Sequence, residues 1–347
     1  MKPAIFASVP RLWNRIYARI KGAMDGATGC KKWLIDRGVA AKLANLNETG
    51  TVKHGCYDAL LFGKVAKVLG GNVKLMGTGS APLDKAVVEY LKICFSCPML
   101  EGYGLTETSA AGCGTRAADT TLGHVGGPAT VIKLRLKDLP DMGYLTTDKP
   151  NPRGEVCFTG PTVFDGYYKR ADKTAEAFDE EGWFMTGDVG IVLPNGAVKI
   201  IDRCKNIFKL SQGEYIAPER VEQVYALASS VGQIMIYGDP LKNCTVAIVS
   251  PDEEQVKLWA EANGKEPSSV FADPDFKAVV VDDMAQIAAA KQLSGLEKPK
   301  EIFLTSDPFS PDNGILTPTM KLRRNVARKV YQEQIDQMYS ELEKRGI

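Results

Sequence analysis

Apolar residues near the start of the chain recur at the spacing of an amphipathic helix. Ser8 can cap such a helix, and Pro10 suits its first turn. The apolar face is predicted to consist of Val9, Trp13, Ile16 and Ile20. The segment is also basic, as mitochondrial presequences are, but its pattern favours a helix of the folded protein.

A second pattern follows, in which a short apolar run at 73–76 opens into the turn Gly-Thr-Gly-Ser-Ala-Pro at 77–82 and then into an amphipathic helix at 83–95. Strand, glycine turn and helix in this order indicate an α/β sheet layer. Because ligands bind beyond the carboxyl ends of such strands, Gly79, Ser80 and Ala81 are candidates for the wall of a nucleotide or acyl pocket. A plain strand-to-helix connection explains the turn equally well.

The rest of the chain predicts two further regions of different character. Residues 123–201 are rich in Gly, Pro and short β-type runs. Beyond them, a helix at 218–228 and strands at 232–237, 246–250 and 301–304 indicate a small α+β domain. We therefore predict an α/β fold in which residues 1–202 form a larger domain, with an α/β layer at 1–120 and a β-rich subdomain at 121–202. Residues 203–347 form the smaller domain.

Composition excludes several classes of protein. An apolar fraction of 44% and a charged fraction of 24% over 347 residues predict a soluble enzyme of more than one domain. The formal net charge is +1, so no long-range field favours nucleic acid or anionic lipid as a partner. No apolar run approaches the roughly 20 residues that span a bilayer, and we expect any membrane contact to be peripheral.

The eight cysteines are scattered and no signal peptide is apparent, which predicts free thiols in a reducing compartment. Cys94 and Cys97 form a single CxxC. Because only His54 and His124 could complete a metal site, two partly buried cysteines are the favoured interpretation.

Residues 102–108, Gly-Tyr-Gly-Leu-Thr-Glu-Thr, offer chemistry suited to a nucleotide. Tyr103 can present a flat face to a purine, and Gly104 lets the backbone approach a ligand. Thr106 and Glu107 carry hard oxygens suited to phosphate and Mg²⁺. A polar turn with a buried tyrosine explains the same residues.

Two later motifs are weaker evidence for a nucleotide site when each is considered alone. In Thr186-Gly187-Asp188, a carboxylate can accept hydrogen bonds from both ribose hydroxyls, although a turn aspartate is more common. Arg203 has a forked donor set that suits ribose and phosphate oxygens, and Lys205 lies where a linker would join two domains. A solvated charged loop is the alternative there.

The order of these motifs resembles that of the long-chain fatty acyl-CoA synthetases, which belong to the adenylate-forming superfamily. The resemblance covers essentially the whole chain and includes the YGLTE run at 103–107, the uninterrupted block at 182–222, GEVCFTGPTVFDGYYK at 154–169 and the loop LTPTMKLRR at 316–324. The IFKLSQGEYIAPERVE run at 207–222 resembles the long-chain branch rather than the acetate, coumarate or peptide-synthetase branches.

This resemblance implies a role for each candidate residue. Lys321 would be the catalytic lysine, acting with Thr106 and Glu107, and Glu107 would also bind Mg²⁺. Lys205 would be the hinge of a mobile small domain, and Lys209 would lie near the nucleotide or pantetheine channel. Asp188 would hold the ATP ribose, within a nucleotide site that also includes Gly79, Ser80, Ala81, Tyr103, Gly104 and Arg203.

The implied reaction has two steps: a long-chain fatty carboxylate attacks the α-phosphate of Mg-ATP to give acyl-AMP, and coenzyme A then displaces AMP. The cofactors are ATP, Mg²⁺ and coenzyme A. The implied location is the cytoplasm or the cytosolic face of an organelle membrane such as the endoplasmic reticulum.

The family's phosphate loop is expected upstream of the segment matching residues 6–22. The run GAMDGATGCKK at 22–32 lacks the P-loop spacing. We therefore expect a C-terminal portion of a ligase that is weakly active or inactive alone. Two alternatives are a module that binds nucleotide or acyl-adenylate without turnover, and an adenylate-forming ligase for an aryl or short-chain acid.

Overall fold

A computed structural model of the chain describes residues 2–117 and 119–347. The chain divides into two compact units, Met1–Ile201 and Asp202–Ile347, called here the first and second units. Across the described residues, every helix is either too short or too polar to traverse a lipid bilayer.

A mixed sheet organises the beginning of the first unit. Its first three strands are parallel, and the last two continue it in antiparallel fashion. In spatial order the strands are β1 (Ile5–Ser8), β2 (Leu75–Thr78), β3 (Met99–Tyr103), β4 (Cys113–Gly114) and β5 (Gly127–Pro128). The parallel order places the carboxyl ends of β2 and β3 side by side, which is where ligands bind in such sheets.

The helices of the first unit are α1 (Pro10–Asp25), α2 (Gly29–Thr49), α3 (Gly55–Tyr57), α4 (Gly63–Ala66), α5 (Lys85–Phe95) and α6 (Ala171–Ala177), with a π-helical turn at Asp58–Phe62 and 3₁₀ turns at Lys67–Leu69, Thr106–Thr108 and Pro140–Met142. Helix α5 packs against the mixed sheet, and α1, α2 and α4 pack against α5. Trp13 of α1 is fully buried and donates a 3.1 Å hydrogen bond to the Gly77 carbonyl. Asp84 caps α5 by accepting from the Ala86 amide.

The predicted cap of α1 is wrong. Val9 occupies the N-cap position without a side-chain hydrogen bond, and Ser8 ends strand β1 instead. The reason is tertiary: Ser8 pairs with Thr78 in the parallel ladder, which places it in the sheet. The helix itself and its buried face at Trp13 and Ile20 are as predicted.

A four-stranded sheet forms the later, β-rich part of the first unit, as the sequence predicts. Its strands are β6 (Lys133–Lys137), β7 (Arg153–Thr159), β8 (Phe184–Val192) and β9 (Val198–Arg203). Val156, Phe158 and Val198 are essentially inaccessible and pack with Cys113, which lies in β4 of the first sheet. The two sheets therefore share a core.

The second unit is built on a three-stranded sheet. Its strands are β12 (Val231–Gly238), β13 (Thr245–Pro251) and β14 (Glu301–Leu304), and a separate hairpin is made by β10 (Phe208–Lys209) and β11 (Tyr215–Ile216). Its helices are α7 (Pro218–Tyr225), α8 (Glu253–Asn263), α9 (Pro274–Ala290), α10 (Arg324–Val330) and α11 (Gln332–Lys344), with a 3₁₀ turn at Pro267–Ala272. The predicted helix at 218–228 ends three residues early, at Tyr225.

Both faces of this sheet are covered. Ile234, Ile236 and Val249 pack on one side against residues of α7, α8 and α9. Met235 and Ile248 point to the other side and pack with residues of α10 and α11. Every residue of β13 is buried, which explains why residues 246–249 at its centre form an apolar run rather than an alternating one.

The cysteines are free thiols, and Cys94 and Cys97 are both buried. Burial raises the pKa of Cys97 to about 11. Within residues 2–117 and 119–347, no group of three or more His, Cys, Asp or Glu side chains is arranged to hold a metal ion.

Candidate active site

Tyr103 and Asp188 come together in the first unit. The Tyr103 hydroxyl donates a 2.6 Å hydrogen bond to Oδ2 of Asp188, although 85 positions separate the two residues. Asp188 is buried in β8, and Tyr103 is half-buried at the end of β3. Burial and the Asp188 carboxylate hold the pKa of Tyr103 far above its usual value. The Tyr103 hydroxyl therefore keeps its proton in the contact with Asp188.

Three hydrogen bonds shape Thr186-Gly187-Asp188, an irregularity within β8 that presents this carboxylate. The Gly187 amide donates to Oε1 of Glu155 at 2.8 Å, and the Asp188 amide donates to the Thr186 hydroxyl at 3.1 Å. The Thr186 hydroxyl in turn donates to the Val156 carbonyl at 2.7 Å. Gly187 has φ of +72°, a conformation that other residues adopt at a cost. Burial raises the pKa of Glu155, a residue that sequence reasoning missed.

The predicted glycine turn lies beside Tyr103. A Cβ on Gly79 would sit 3.1 Å from the carbonyl oxygen of Gly102, so the backbones that follow β2 and β3 approach closely there. Ser80 and Ala81 continue the turn and are exposed. Gly104 is sterically required, because a Cβ there would overlap the carbonyl of Ala110. The turn and the 102–108 motif thus form one edge of the sheet.

Glu107 is held by a tyrosine that sequence reasoning did not assign. The Tyr167 hydroxyl donates a 2.7 Å hydrogen bond to Oε1 of Glu107, and the Phe164 amide donates to the Glu107 carbonyl at 2.8 Å. Thr106 precedes it and is exposed. A lone carboxylate that is completed by phosphate oxygens is a common way to bind Mg²⁺, so Glu107 fits such an ion only together with a nucleotide.

Lys205 lies in the turn that follows β9, and Arg203 is the last residue of that strand; both are exposed. The preceding residue, Asp202, is buried, and its oxygens accept from the Arg203 amide at 2.7 Å and the Glu219 amide at 2.8 Å. Burial, followed by the nearby Glu219 carboxylate, raises the pKa of Asp202 to about 7. Asp202 therefore ties the turn to the first residues of α7.

The two remaining candidate lysines, Lys209 and Lys321, lie on separate segments of the second unit. Lys209 is exposed in β10, with its ammonium 5.2 Å from the centre of the Tyr215 ring. Lys321 is exposed in a loop closed by a bridge between Leu316 and Leu322. Within it, the Lys321 amide donates to the Thr317 hydroxyl at 3.0 Å. The helix that follows this loop, α10, begins at Arg324.

Comparisons with known proteins agree with this architecture. Residues 1–168 match the family model described as AMP-binding enzyme. The chain is 45% identical over 346 residues to Long chain acyl-CoA synthetase 6, peroxisomal, of Arabidopsis thaliana, a match that covers 99% of this chain and 49% of that protein. It is 43% identical over 342 residues to Long-chain-fatty-acid–CoA ligase 1 of Homo sapiens, covering 98% and 48% respectively.

Among solved structures, the A domain of carboxylic acid reductase from Segniliparus rugosus, in complex with AMP and a co-purified carboxylic acid, superposes with a TM-score of 0.77. It is 29% identical, and the match covers 98% of this chain and 48% of that one. The fold of the chain is that of the matched half of such an adenylation domain. The predicted resemblance to long-chain acyl-CoA synthetases is confirmed, and the chain spans about half the length of the curated relatives it matches.

Proposed function

We propose that this chain supplies part of the active site of an acid–thiol ligase, which activates a long-chain fatty acid with ATP and transfers it to coenzyme A. The observation that carries the proposal is the Tyr103–Asp188 hydrogen bond at the carboxyl edge of the first sheet. It joins an aromatic ring, which can lie against a purine, to a buried carboxylate, which can accept hydrogen bonds from ribose hydroxyls. The curated relatives named for this activity support the same function.

The residues of the first unit receive the nucleotide in this proposal. Asp188 accepts hydrogen bonds from the ribose hydroxyls, Tyr103 lies against the purine, and the 79–81 turn lines the pocket beside Gly104. Thr106 donates to a phosphate oxygen. Glu107 holds Mg²⁺, which neutralises phosphate charge when it is bound.

In this proposal the residues of the second unit stabilise charge in the transition state and allow the small domain to move. Lys321 places a positive charge near the oxygens of the α-phosphate and the attacking carboxylate, where charge redistributes in the transition state. Arg203 contacts ribose or phosphate oxygens, and Lys209 lies near the nucleotide or the pantetheine arm. We assign residues 1–202 to the large adenylation domain and 203–347 to a mobile domain with its hinge at Lys205.

We place this reaction in the cytoplasm or on the cytosolic face of an organelle membrane, with peripheral contact to the lipid that supplies the acid. The free cysteines suit that reducing environment.

A binding experiment tests the nucleotide assignment without requiring turnover. AMP titrated into the purified chain should release heat, and Asp188→Ala should weaken its affinity about tenfold or more, because hydrogen bonds to charged groups contribute roughly 1.5–3 kcal/mol. Asp172→Ala is the matched control, since Asp172 is exposed and pairs with Arg170. Equal affinity in the wild type and a folded Asp188→Ala variant would contradict the ribose assignment.

A second experiment tests the chemistry. Oleoyl-CoA is measured by mass spectrometry after incubation with Mg-ATP, oleate and coenzyme A, for the wild type, Lys321→Ala and the control Lys329→Ala, whose lysine is exposed in α10. Product that is lost only in Lys321→Ala supports the ligase. AMP binding without product fits both a portion that needs the upstream phosphate loop and a binding module, and restoring the upstream sequence decides between them. Loss of oleoyl-CoA in competition with benzoate or acetate supports a different acid.

A further inference from the structure

A buried ion pair joins two distant parts of the second unit. The guanidinium of Arg324 contacts the carboxylate of Glu222 through two parallel bonds, Nη1 to Oε1 at 2.9 Å and Nη2 to Oε2 at 2.5 Å. The side chains are only 16% and 13% exposed, and 102 positions separate the residues. Such a fork fixes direction as well as distance, which a lysine could not do.

The pair is also tied to the central sheet. Oε1 of Glu222 accepts a 2.7 Å hydrogen bond from the Ile236 amide, and Nη1 of Arg324 lies 3.4 Å from the Ile236 carbonyl. Glu222 belongs to α7, Ile236 to β12, and Arg324 opens α10. One carboxylate therefore connects three elements at a single point.

The loop that carries Lys321 ends at this point. Arg324 follows Lys321 by three residues, and its neighbour Arg323 is joined to the other side of the loop, by its amide to the Ile315 carbonyl at 2.8 Å and by Nη1 to the Gly314 carbonyl at 3.1 Å. Met320, next to Lys321, has φ of +64°. A loop with such a strained residue needs firm anchors at its ends.

Burial of this pair is not explained by stability. Taking two charges out of water costs about as much as their attraction returns, and apolar residues of similar size often stabilise a protein as well or better. The Nε atom of Arg324 is buried and makes no hydrogen bond to the described residues, so the guanidinium is oriented by its two Nη atoms. The pair therefore contributes a fixed orientation of α10 rather than net stability.

We propose that Glu222 and Arg324 are positioning residues for Lys321: their fork fixes the start of α10 against α7 and β12, and thereby sets the direction in which the 314–323 loop presents its lysine. The catalytic meaning of this inference rests on the function proposed above for Lys321. Its structural content, the dependence of loop order on the pair, does not.

Hydrogen–deuterium exchange of the full chain tests the structural content. Glu222→Gln keeps the shape and removes the charge, and Arg324→Lys keeps the charge and removes the fork. In both we expect amides of 314–323 to exchange about tenfold faster or more, while β13 amides keep their protection. Glu343→Gln is the matched control, because it removes an exposed ion pair with Lys242 in the same unit. The exchanged pair Glu222→Arg with Arg324→Glu should restore part of the loop protection.

Two results would overturn the proposal. One is unchanged exchange at 314–323 in both single variants. The other is an equal rise across 314–323 and β13, since that would indicate general destabilisation of the unit.

Turnover separates this inference from the proposed function. In Arg324→Lys we expect kcat for acyl-CoA formation to fall about tenfold or more with KM for ATP nearly unchanged, because a misdirected Lys321 affects the transition state more than binding. Unchanged turnover in Lys321→Ala contradicts the proposed function and leaves the exchange result standing. Unchanged loop exchange in the pair variants contradicts the positioning role and leaves the ligase assignment standing.

Discussion

The hydroxyl of Tyr103 and the carboxylate of Asp188 are joined by a 2.6 Å hydrogen bond that connects the end of β3 to β8. Each residue belongs to a motif that carries little information alone. Their contact turns the two motifs into one candidate nucleotide site, in which the ring and the carboxylate hold each other in place.

Tyr103→Phe should show what this contact contributes. Removing the donor leaves a buried carboxylate with one hydrogen bond fewer, so we expect the free energy of unfolding to fall by about 1.5–3 kcal/mol and AMP affinity to weaken. Urea unfolding and calorimetric titration measure the two effects. Tyr168→Phe is the control, since Tyr168 is 86% exposed. Equal stability of Tyr103→Phe and the wild type would show that the bond contributes nothing net.

Gly104→Ala should disrupt the 102–108 motif through sterics alone. A Cβ at this position would overlap the carbonyl of Ala110, so the turn has to shift, at a cost of roughly 1–3 kcal/mol. Gly114→Ala is the matched control, because nothing lies within 4 Å of its added Cβ. Thermal unfolding compares the two variants. A loss of the same size in both would contradict the steric explanation.

Lys42→Met should lower the free energy of unfolding more than the other substitutions do. Lys42 is fully buried, and its ammonium donates to Oδ1 of Asp58 at 2.5 Å and to the Ser96 hydroxyl at 2.6 Å while lying 4.4 Å from the centre of the Phe62 ring. Removing one partner of a buried pair typically costs about 3–5 kcal/mol.

Lys21→Met provides the comparison, because the Lys21–Asp25 pair is exposed and should contribute less than about 1 kcal/mol. Denaturant unfolding of the first unit measures both. A loss below about 1 kcal/mol in Lys42→Met would contradict a structural role for the buried pair.

Stability of the first unit should decrease as pH rises from about 5 towards 7. Burial raises the pKa of Glu101 from 4.5 to about 7, with Lys92 acting in the opposite direction, and Oε1 of Glu101 has no hydrogen-bond partner in the described residues. Between these two values the folded state holds a proton that the unfolded state has lost. The free energy of unfolding therefore falls from about pH 5 to pH 7, by at most about 3 kcal/mol.

Glu101→Gln should flatten this pH dependence, because the amide stays neutral throughout. Glu155 and Asp202 act in the same direction, so the slope of Glu101→Gln is compared with that of the wild type, using a probe of the first unit. A Trp259→Phe background leaves tryptophans only at 13, 33 and 183, all in the first unit, and their fluorescence reports its unfolding. An unchanged slope in Glu101→Gln would exclude this carboxyl as the cause.

Local pattern predicted the order and type of the main elements. The strand at 301–304 and the Asp84-capped helix that ends at Phe95 are observed where the sequence indicated them, because propensity, capping and apolar period agree there. The 102–108 motif and residues 186–188 were also candidates, because their chemistry is carried by neighbouring residues. Lys321 was a candidate through the family resemblance alone.

By itself, the sequence determined the α/β succession and the residue types available for a nucleotide. Only the tertiary structure decided that Tyr103 meets Asp188, that Tyr167 holds Glu107 and that Arg324 is forked on Glu222, over separations of 85, 60 and 102 residues. It also placed Ser8 in a strand rather than at a helix cap. The physical reason is that such contacts follow from sheet order and register, which depend on the whole folded chain. The local hydrophobic periodicity of the sequence does not specify them.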